Sequence, residues 1–423
     1  MNVAGIIAEY NPFHKGHQYQ LDEVRRRTGA DYIVVVMSGD FVQRGEPAII
    51  DKYRRTRMAL DGGADLVLEL PVCLATSSAE YFAMGGVSLL DRLGVVDTLC
   101  FGSESGDLAA LQQAAKLLSD EPELFQAELK RRLAAGVSYP RARAEALEAI
   151  LGVTGTNPIP AVIPTAPNDI LAVEYLKALN RTRSAMEPLA IRRQGQGYHC
   201  DALADVFSPT GGFASASAIR HALLGKPDAC TFSPALTAQL PAASRTYLAD
   251  APAFLAADSL SAILNARLLQ LLHDEQALSS FADLSPELAA RLKQHTLDFA
   301  SFSGRIQQLK TRSYTYSRIS RALLHLLLGI TNEDMTRIQQ LRYAPYARVL
   351  GFRQSAEPLL HAIKKSMDLK LITKTADAAQ LLTADRLRVL NQDFHASHLY
   401  QSLVYAASGQ QMKNEYTQSV VIL

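Results

Sequence analysis

The sequence predicts an α/β fold, a parallel, doubly wound sheet followed by an all-helical region. Three observations carry this expectation. Short apolar, β-branched runs alternate with helical patterns over the first hundred residues. The first run ends in a turn crowded with reactive side chains, the place where open α/β sheets bind ligands. From about Phe232 the chain turns Ala- and Leu-rich, with helical spacing almost to its end.

Taken in order, Val3–Ala8 reads as a buried strand and His17–Thr28 as a helix with Leu21 and Val24 on one face. Tyr32–Met37 is a second strand, its β-branched residues suited to a sheet covered on both faces. Lys52–Gly62 is expected to be helical and basic on its outer face. Ala64–Leu70 is a third strand closed by Pro71, Ser77–Leu93 a long helix and Thr98–Gly102 a fourth strand. Leu108–Leu151 looks helical throughout and reads as an insertion. Ile159–Pro164 and Pro188–Arg192 read as strands around the helix Asp169–Leu179, and Gln194–Tyr198 as a loop. Ser215–Leu223 begins another helix. The clearest later helices are Ser259–Leu272, Pro286–Ser301, Tyr316–Leu328, Asn332–Leu341 and Ala356–Ile363, with Ser419–Leu423 as a final strand.

The chain has 423 residues, is 48% hydrophobic and carries a net charge of +1. That length suggests two or three domains with sizeable cores. Affinity for nucleic acid must come from local patches, since the overall charge is near zero. The four cysteines are scattered (Cys73, Cys100, Cys200 and Cys230), as expected of a reducing compartment. No apolar stretch reaches the ~18 to 20 residues of a membrane span, and the short N-terminal run is followed at once by Glu9, His14, Lys15 and His17. A cytoplasmic location is the expectation.

Chemistry concentrates in the turn Asn11-Pro12-Phe13-His14-Lys15-Gly16-His17. A strand, a turn and a helix N-terminus make an anion site, because the first N–H groups of a helix have no partner inside it. Gly16 permits close approach, and His14 and His17 add donors that are cationic or neutral near pH 7. A nucleoside triphosphate is the ligand this suits. No third metal ligand stands at the right spacing, so no metal site is expected. The polar loop Met37–Pro47 follows the second strand, and Phe101-Gly102-Ser103-Glu104 ends the fourth. Ser215-Ala216-Ser217-Ala218-Ile219-Arg220 opens a helix with hydroxyls and an arginine, a second phosphate site through Ser217 and Arg220. Two anion sites facing one crevice suggest attack at an α-phosphate, a reaction that mainly needs positioning and charge neutralisation.

Residues 301 to 374 hold thirteen cations against four acids, a local net charge of +9. Tyr314, Tyr316, Tyr343, Tyr346 and Phe352 lie among them. Cations match a phosphate backbone and aromatic rings stack on unpaired bases. Lys310, Arg312, Tyr314, Arg318, Arg321 and Arg348 are the candidate RNA contacts. Lys130, Arg131, Arg132, Arg141 and Arg143 could extend that surface.

His14-Lys15-Gly16-His17 resembles the His-x-Gly-His signature of class I aminoacyl-tRNA synthetases and small nucleotidyltransferases, and Ser215 to Arg220 resembles the Ser/Thr-rich Ile-Arg element of the latter. More narrowly, Ala8 to His17, Met37 to Phe41 with Gln43 to Pro47, Phe101 to Glu104, Pro167 to Leu171, Tyr314 to Arg318 and Arg348 to Phe352 resemble the bacterial tRNA(Met) cytidine acetate ligases. Asp169 stands where the family pattern has a second Asn. The resemblance runs over most of the chain. It implies a Rossmann-like (HUP-type) adenylating domain over 1–235, with a helical insertion around 105–155, and a mainly α-helical tRNA-binding domain over 236–423. The implied reaction joins ATP and acetate into acetyl-adenylate and pyrophosphate, then acetylates N4 of the wobble cytidine of elongator tRNA(Met). ATP, with Mg²⁺, would lie on Ile7, Ala8, Glu9, Tyr10, Asn11, Pro12, Phe13, His14, Lys15, Gly16, His17, Gln18, Tyr19 and Gln20, with Gly102, Asn168 and Arg193. His14 and His17 would be catalytic. Two other readings stand beside it: a small-molecule nucleotidyltransferase making a nucleotide cofactor, and a non-catalytic RNA-binding protein. The basic tract separates the ligase from the first, and the intact histidine pair from the second. No general base for the cytidine amine and no acetate pocket stand out in the sequence.

Overall fold

A computed structural model describes residues 1–120, 122–137, 139–153, 166–194, 212–225, 232–312 and 314–423. The strands are β1 (Val3–Ala8), β2 (Tyr32–Ser38), β3 (Phe41–Val42), β4 (Glu46–Pro47), β5 (Leu66–Leu70), β6 (Thr98–Ser103), β7 (Glu187–Arg192), β8 (Ala347–Phe352), β9 (Leu371–Ile372) and β10 (Val421–Ile422). The first helices are α1 (Lys15–Thr28), α2 (Lys52–Asp61), α3 (Val72–Ala75), α4 (Ala79–Arg92), α5 (Leu108–Asp120), α6 (Glu123–Ala134), α7 (Tyr139–Val153), α8 (Pro167–Thr182) and α9 (Ala216–Leu224).

The main sheet runs β10-β8-β5-β2-β1-β6-β7, with β9 on β8. The chain steps from β1 through β2 to β5 on one side, then returns to β6 and β7 on the other. Those five strands are parallel. The order therefore reverses between β1 and β6, which opens the ligand crevice at their C-terminal ends. Both faces are covered. Val34, Val36, Leu66, Leu68 and Phe101 pack into one core, and Ile33, Val35, Val67 and Cys100 into the other. That two-sided burial is why the strands read as unbroken apolar runs and not as alternation.

The sequence expectations meet several corrections. Leu108–Leu151 is three helices, α5 to α7, broken near the helix-stopping Pro122 and at Gly136, whose φ is +80°. The expected helix Pro286–Ser301 ends at Gln294. The outer face of α2 is not simply basic, because Lys52 and Arg55 are fully buried. The region after residue 236 is mainly helical but not all-helical. It returns β8 to the sheet, antiparallel to β5, and β10 beside β8. The final strand expected at Ser419–Leu423 is Val421–Ile422. The strand expected at Ile159–Pro164, most of the loop Gln194–Tyr198, Cys200 and Cys230 lie outside the described residues. Among the described residues, no helix is long and apolar enough to cross a membrane.

A two-stranded hairpin, β3–β4, leans from the crevice onto the C-terminal helix Tyr316–Leu328. Gly45 makes this contact possible. Its φ is +79°, and a Cβ there would stand 2.5 Å from the Arg321 backbone nitrogen. Ser320 Oγ donates to the Gly45 carbonyl at 2.9 Å. A buried ionic cluster ties the same two regions together. Lys52 Nζ lies 2.7 Å from Glu69 and 3.2 Å from Glu415, and Arg348 lies 2.7 Å from Glu69 and also pairs with Glu415.

Candidate functional site

The turn after β1 places two histidines at the start of α1. His14 is the N-cap, in extended backbone geometry, and its Nδ1 accepts from the Gly16 N–H at 3.0 Å. His17 Nδ1 accepts from the His14 N–H at 3.3 Å. The pair forms a capping box made of imidazoles, with ring centroids 3.8 Å apart. Since both Nδ1 atoms accept backbone protons, each neutral ring carries its own proton on Nε2. Gly16 is required at close quarters, because a Cβ there would meet His14 Cε1 at 2.8 Å.

Both rings are neutral near pH 7. Burial lowers His14 to about 3, helped by the positive charges of Arg193 and Arg220. His17 keeps partial exposure toward the cleft. Desolvation, then His14 and Arg193, still hold it well below its ordinary value. Two neutral Nε2–H donors between two arginines suit a polyanion, whose arrival would itself draw the histidines toward protonation.

One cleft is lined by His14, Gly16, His17, Tyr19, Gln20, Gly102 and Arg193. Thus five residues of the predicted segment 7 to 20 meet Gly102 and Arg193 in this cleft. The Arg193 N–H donates to the Ser103 carbonyl at 2.9 Å, and its side chain lies over the open face of Gly102. Phe213 and Gln194, which were not among the sequence candidates, also line this cleft. Phe213 packs on Tyr19 with centroids 5.6 Å apart, and Gln194 Nε2 donates to the Tyr19 hydroxyl at 2.8 Å. On the other side, Arg220 Nη1 donates to the Asn11 carbonyl at 2.9 Å and its Nη2 to Ser217 Oγ at 3.3 Å.

Other members of the segment face inward. Ile7, Pro12 and Phe13 are core side chains. Asn11 Oδ1 accepts from the Ile49 N–H at 2.8 Å, and Gln18 Nε2 donates to the Gly62 carbonyl at 2.7 Å. Ala8 closes β1, and Lys15 is exposed at the first turn of α1. Asn168 sits in the first turn of α8, where Glu104 Oε1 accepts from its Nδ2 at 2.6 Å. Asp169 returns the lock, accepting from Ser103 Oγ and from the Glu104 N–H at 3.0 Å. The aspartate at this position therefore fastens α8 to the end of β6. Arg55 was missed altogether. Fully buried, it donates to the carbonyls of Glu9 at 2.7 Å and Ser38 at 3.0 Å, and to that of Gly39, pinning the ends of β1 and β2. One of three arginines in a basic helix, Arg55 gave no signal of this in the sequence.

The candidate RNA contacts divide. Lys310 and Arg312 are exposed, and Arg318 is half-buried with its guanidinium over the Tyr314 ring at 4.8 Å. Arg321 is largely buried, 3.6 Å from Asp283. Arg348 and Tyr314 are corrected as surface contacts. Arg348 is 2% exposed and neutralised by Glu69 and Glu415, and Tyr314 is 6% exposed with its hydroxyl 2.6 Å from Ser285 Oγ. Arg305 and Tyr346 are fully buried as well. Lys364, Lys365, Lys370 and Lys374 remain exposed. In the helical insertion, Arg131 and Arg132 pair with Glu128, Arg141 with Glu145 and Arg143 with Glu174. Among the described residues no group of three or more His, Cys, Asp or Glu stands close enough to hold a metal ion.

Comparison with known proteins agrees with this architecture. The family model described as HIGH Nucleotidyl Transferase matches residues 1–416. The tRNA(Met) cytidine acetate ligase of Acetivibrio thermocellus is 37% identical over the whole of both chains. That of Halothermothrix orenii is 37% identical over 96% of this chain and 95% of its own. A crystal structure of Thermotoga maritima TmcAL bound with alpha-thio ATP superposes with a TM-score of 0.88, at 30% identity and full coverage of both chains. The apo form of the same protein gives a TM-score of 0.90 at 29% identity. The chain belongs to the HIGH nucleotidyl transferase family and, within it, to the tRNA(Met) cytidine acetate ligases.

Proposed function

We propose that this protein activates acetate with ATP, releasing pyrophosphate, and transfers the acetyl group to N4 of the wobble cytidine of elongator tRNA(Met). The neutral His14–His17 pair at the switch point, flanked by Arg193 and Arg220, is the observation that carries this reading. A carboxylate oxygen of acetate attacks the α-phosphate in line. The Nε2–H groups of His14 and His17 and the two guanidiniums stabilise the charge that develops as pyrophosphate leaves. Mg²⁺ would be carried by the triphosphate of ATP and would help to neutralise its charge. Gly102, in the cleft wall, would face the nucleoside, with Asn168 held at the same strand end by Glu104, and Tyr19 and Phe213 offer aromatic faces to a base. Ser217 and Arg220 close on the leaving phosphates. The two-part division of labour follows, with adenylation at the crevice and RNA held by the helical region. That work belongs in the cytoplasm, and the buried free thiols of Cys73 and Cys100 fit a reducing compartment.

Pyrophosphate exchange into ATP tests the first step. It is expected with acetate and absent with phosphorylated cofactor precursors. Exchange only with such a precursor would assign the chain to cofactor synthesis. For RNA, Arg318→Glu should weaken tRNA binding by on the order of tenfold and flatten its salt dependence, read by filter binding across a salt series. Unchanged affinity and slope would move the RNA surface away from the helix Tyr316–Leu328.

A further inference from the structure

Glu9 is a half-buried titratable group of the segment the resemblance assigns to ATP, yet it is not among the residues that line the histidine cleft. It is the first residue beyond β1, at the point where the strand order reverses. Tyr10 follows in left-handed backbone, φ +48°, and lays its ring on His17 with centroids 4.8 Å apart. The Glu9 backbone is fixed by Arg55, and its carboxylate Oε1 accepts from the Gln43 N–H at 2.8 Å. Among the described residues that is the only hydrogen bond to the carboxylate, so Oε2 keeps its lone pairs. Gln43 Nε2, on the same hairpin residue, is shielded from solvent and has no acceptor. A free carboxylate oxygen complements the exocyclic amine of a cytosine, and the unpartnered Gln43 amide complements the ring nitrogen beside it. The exocyclic N4 is a donor, and its ring neighbour N3 an acceptor. Uracil would present an oxygen to the same carboxylate.

We propose that Glu9 receives the wobble cytidine's N4 amine and accepts its proton during acetyl transfer, with Gln43 orienting the base. The assignment rests on the ligase reading above. N4 attacks the carbonyl carbon of acetyl-adenylate and the C–N bond forms. The C–O bond to phosphate then breaks, AMP leaves with that electron pair, and the N4 proton passes to Glu9 and on to solvent. The charged and titratable surroundings are Arg44 and Glu46 on the hairpin, Arg220 on α9, Tyr175 on α8 and Arg55 on α2. Burial outweighs the Gln43 N–H and the arginines, raising the carboxyl above its ordinary value, in the direction a base working near neutral pH requires.

The test separates the two chemical steps in the full-length protein. Synthetic acetyl-adenylate and tRNA(Met) measure transfer in a single turnover, and pyrophosphate exchange measures adenylation. Glu9→Gln should slow transfer about a hundredfold more than it slows exchange. Glu9→Asp should restore part of the loss. The wild-type transfer rate should climb with pH and level off above the Glu9 pKa, a climb missing from Glu9→Gln. Equal losses in both steps, or normal transfer by Glu9→Gln, would overturn the proposal. A wild-type protein that forms no acetyl-adenylate would overturn the ligase reading itself, a failure visible in the exchange assay alone.

Discussion

His17→Ala should lower acetate-dependent pyrophosphate exchange by about a hundred- to a thousandfold, while tRNA affinity stays within about twofold. The substitution removes one of two Nε2–H donors aimed at the phosphates. It also removes the acceptor for the His14 N–H, so His14 loses its partner in the capping box. A lost cap costs only about 0.5 to 2 kcal/mol, too little to unfold a chain with cores on both faces of its sheet. Exchange kinetics and filter binding on one preparation read both effects. If exchange and RNA binding fall together, the division of labour between crevice and helical region is wrong.

Arg348→Met should destabilise the protein by about 3 to 5 kcal/mol. The arginine is the shared counter-ion of Glu69 on β5 and Glu415 near the C-terminus, and all three are buried. Without it Lys52, at 2.7 and 3.2 Å, is the one cation left to the two carboxylates among the described residues, with the Tyr53 hydroxyl still donating to Glu415 at 3.0 Å. Burying an uncompensated charge is costly because the interior cannot solvate it. Denaturant unfolding measures the loss. A change below about 1 kcal/mol would mean that water reaches the cluster, and would reopen Arg348 as an RNA contact.

The first sheet was legible because its signals are local. Val3–Ala8 and Tyr32–Met37 are β-branched runs that any two-sided sheet requires, and β1 spans the expected residues while β2 extends by one. The His14–His17 turn was legible for the same reason, since its function lies in a strand, a glycine and a helix start within seven residues. Long-range partnerships left no such trace. Arg348 stood in a basic tract, and only the fold shows that Glu69, 279 residues away, neutralises it. Arg55 and Glu104 work by holding other loops, through contacts to carbonyls and to Asn168 that sequence spacing cannot reveal. β8 went unread because its short apolar run lies inside a helical texture, and its partner β5 is drawn from the first hundred residues.

The most direct measurement follows labelled acetate into RNA. Purified protein, ATP and labelled acetate are incubated with elongator tRNA(Met) carrying either the native wobble cytidine or a uridine in its place. The account predicts label in the cytidine tRNA as N4-acetylcytidine, dependent on ATP and lost in His17→Ala, and none in the uridine tRNA. Pyrophosphate release with no label in either tRNA would contradict it.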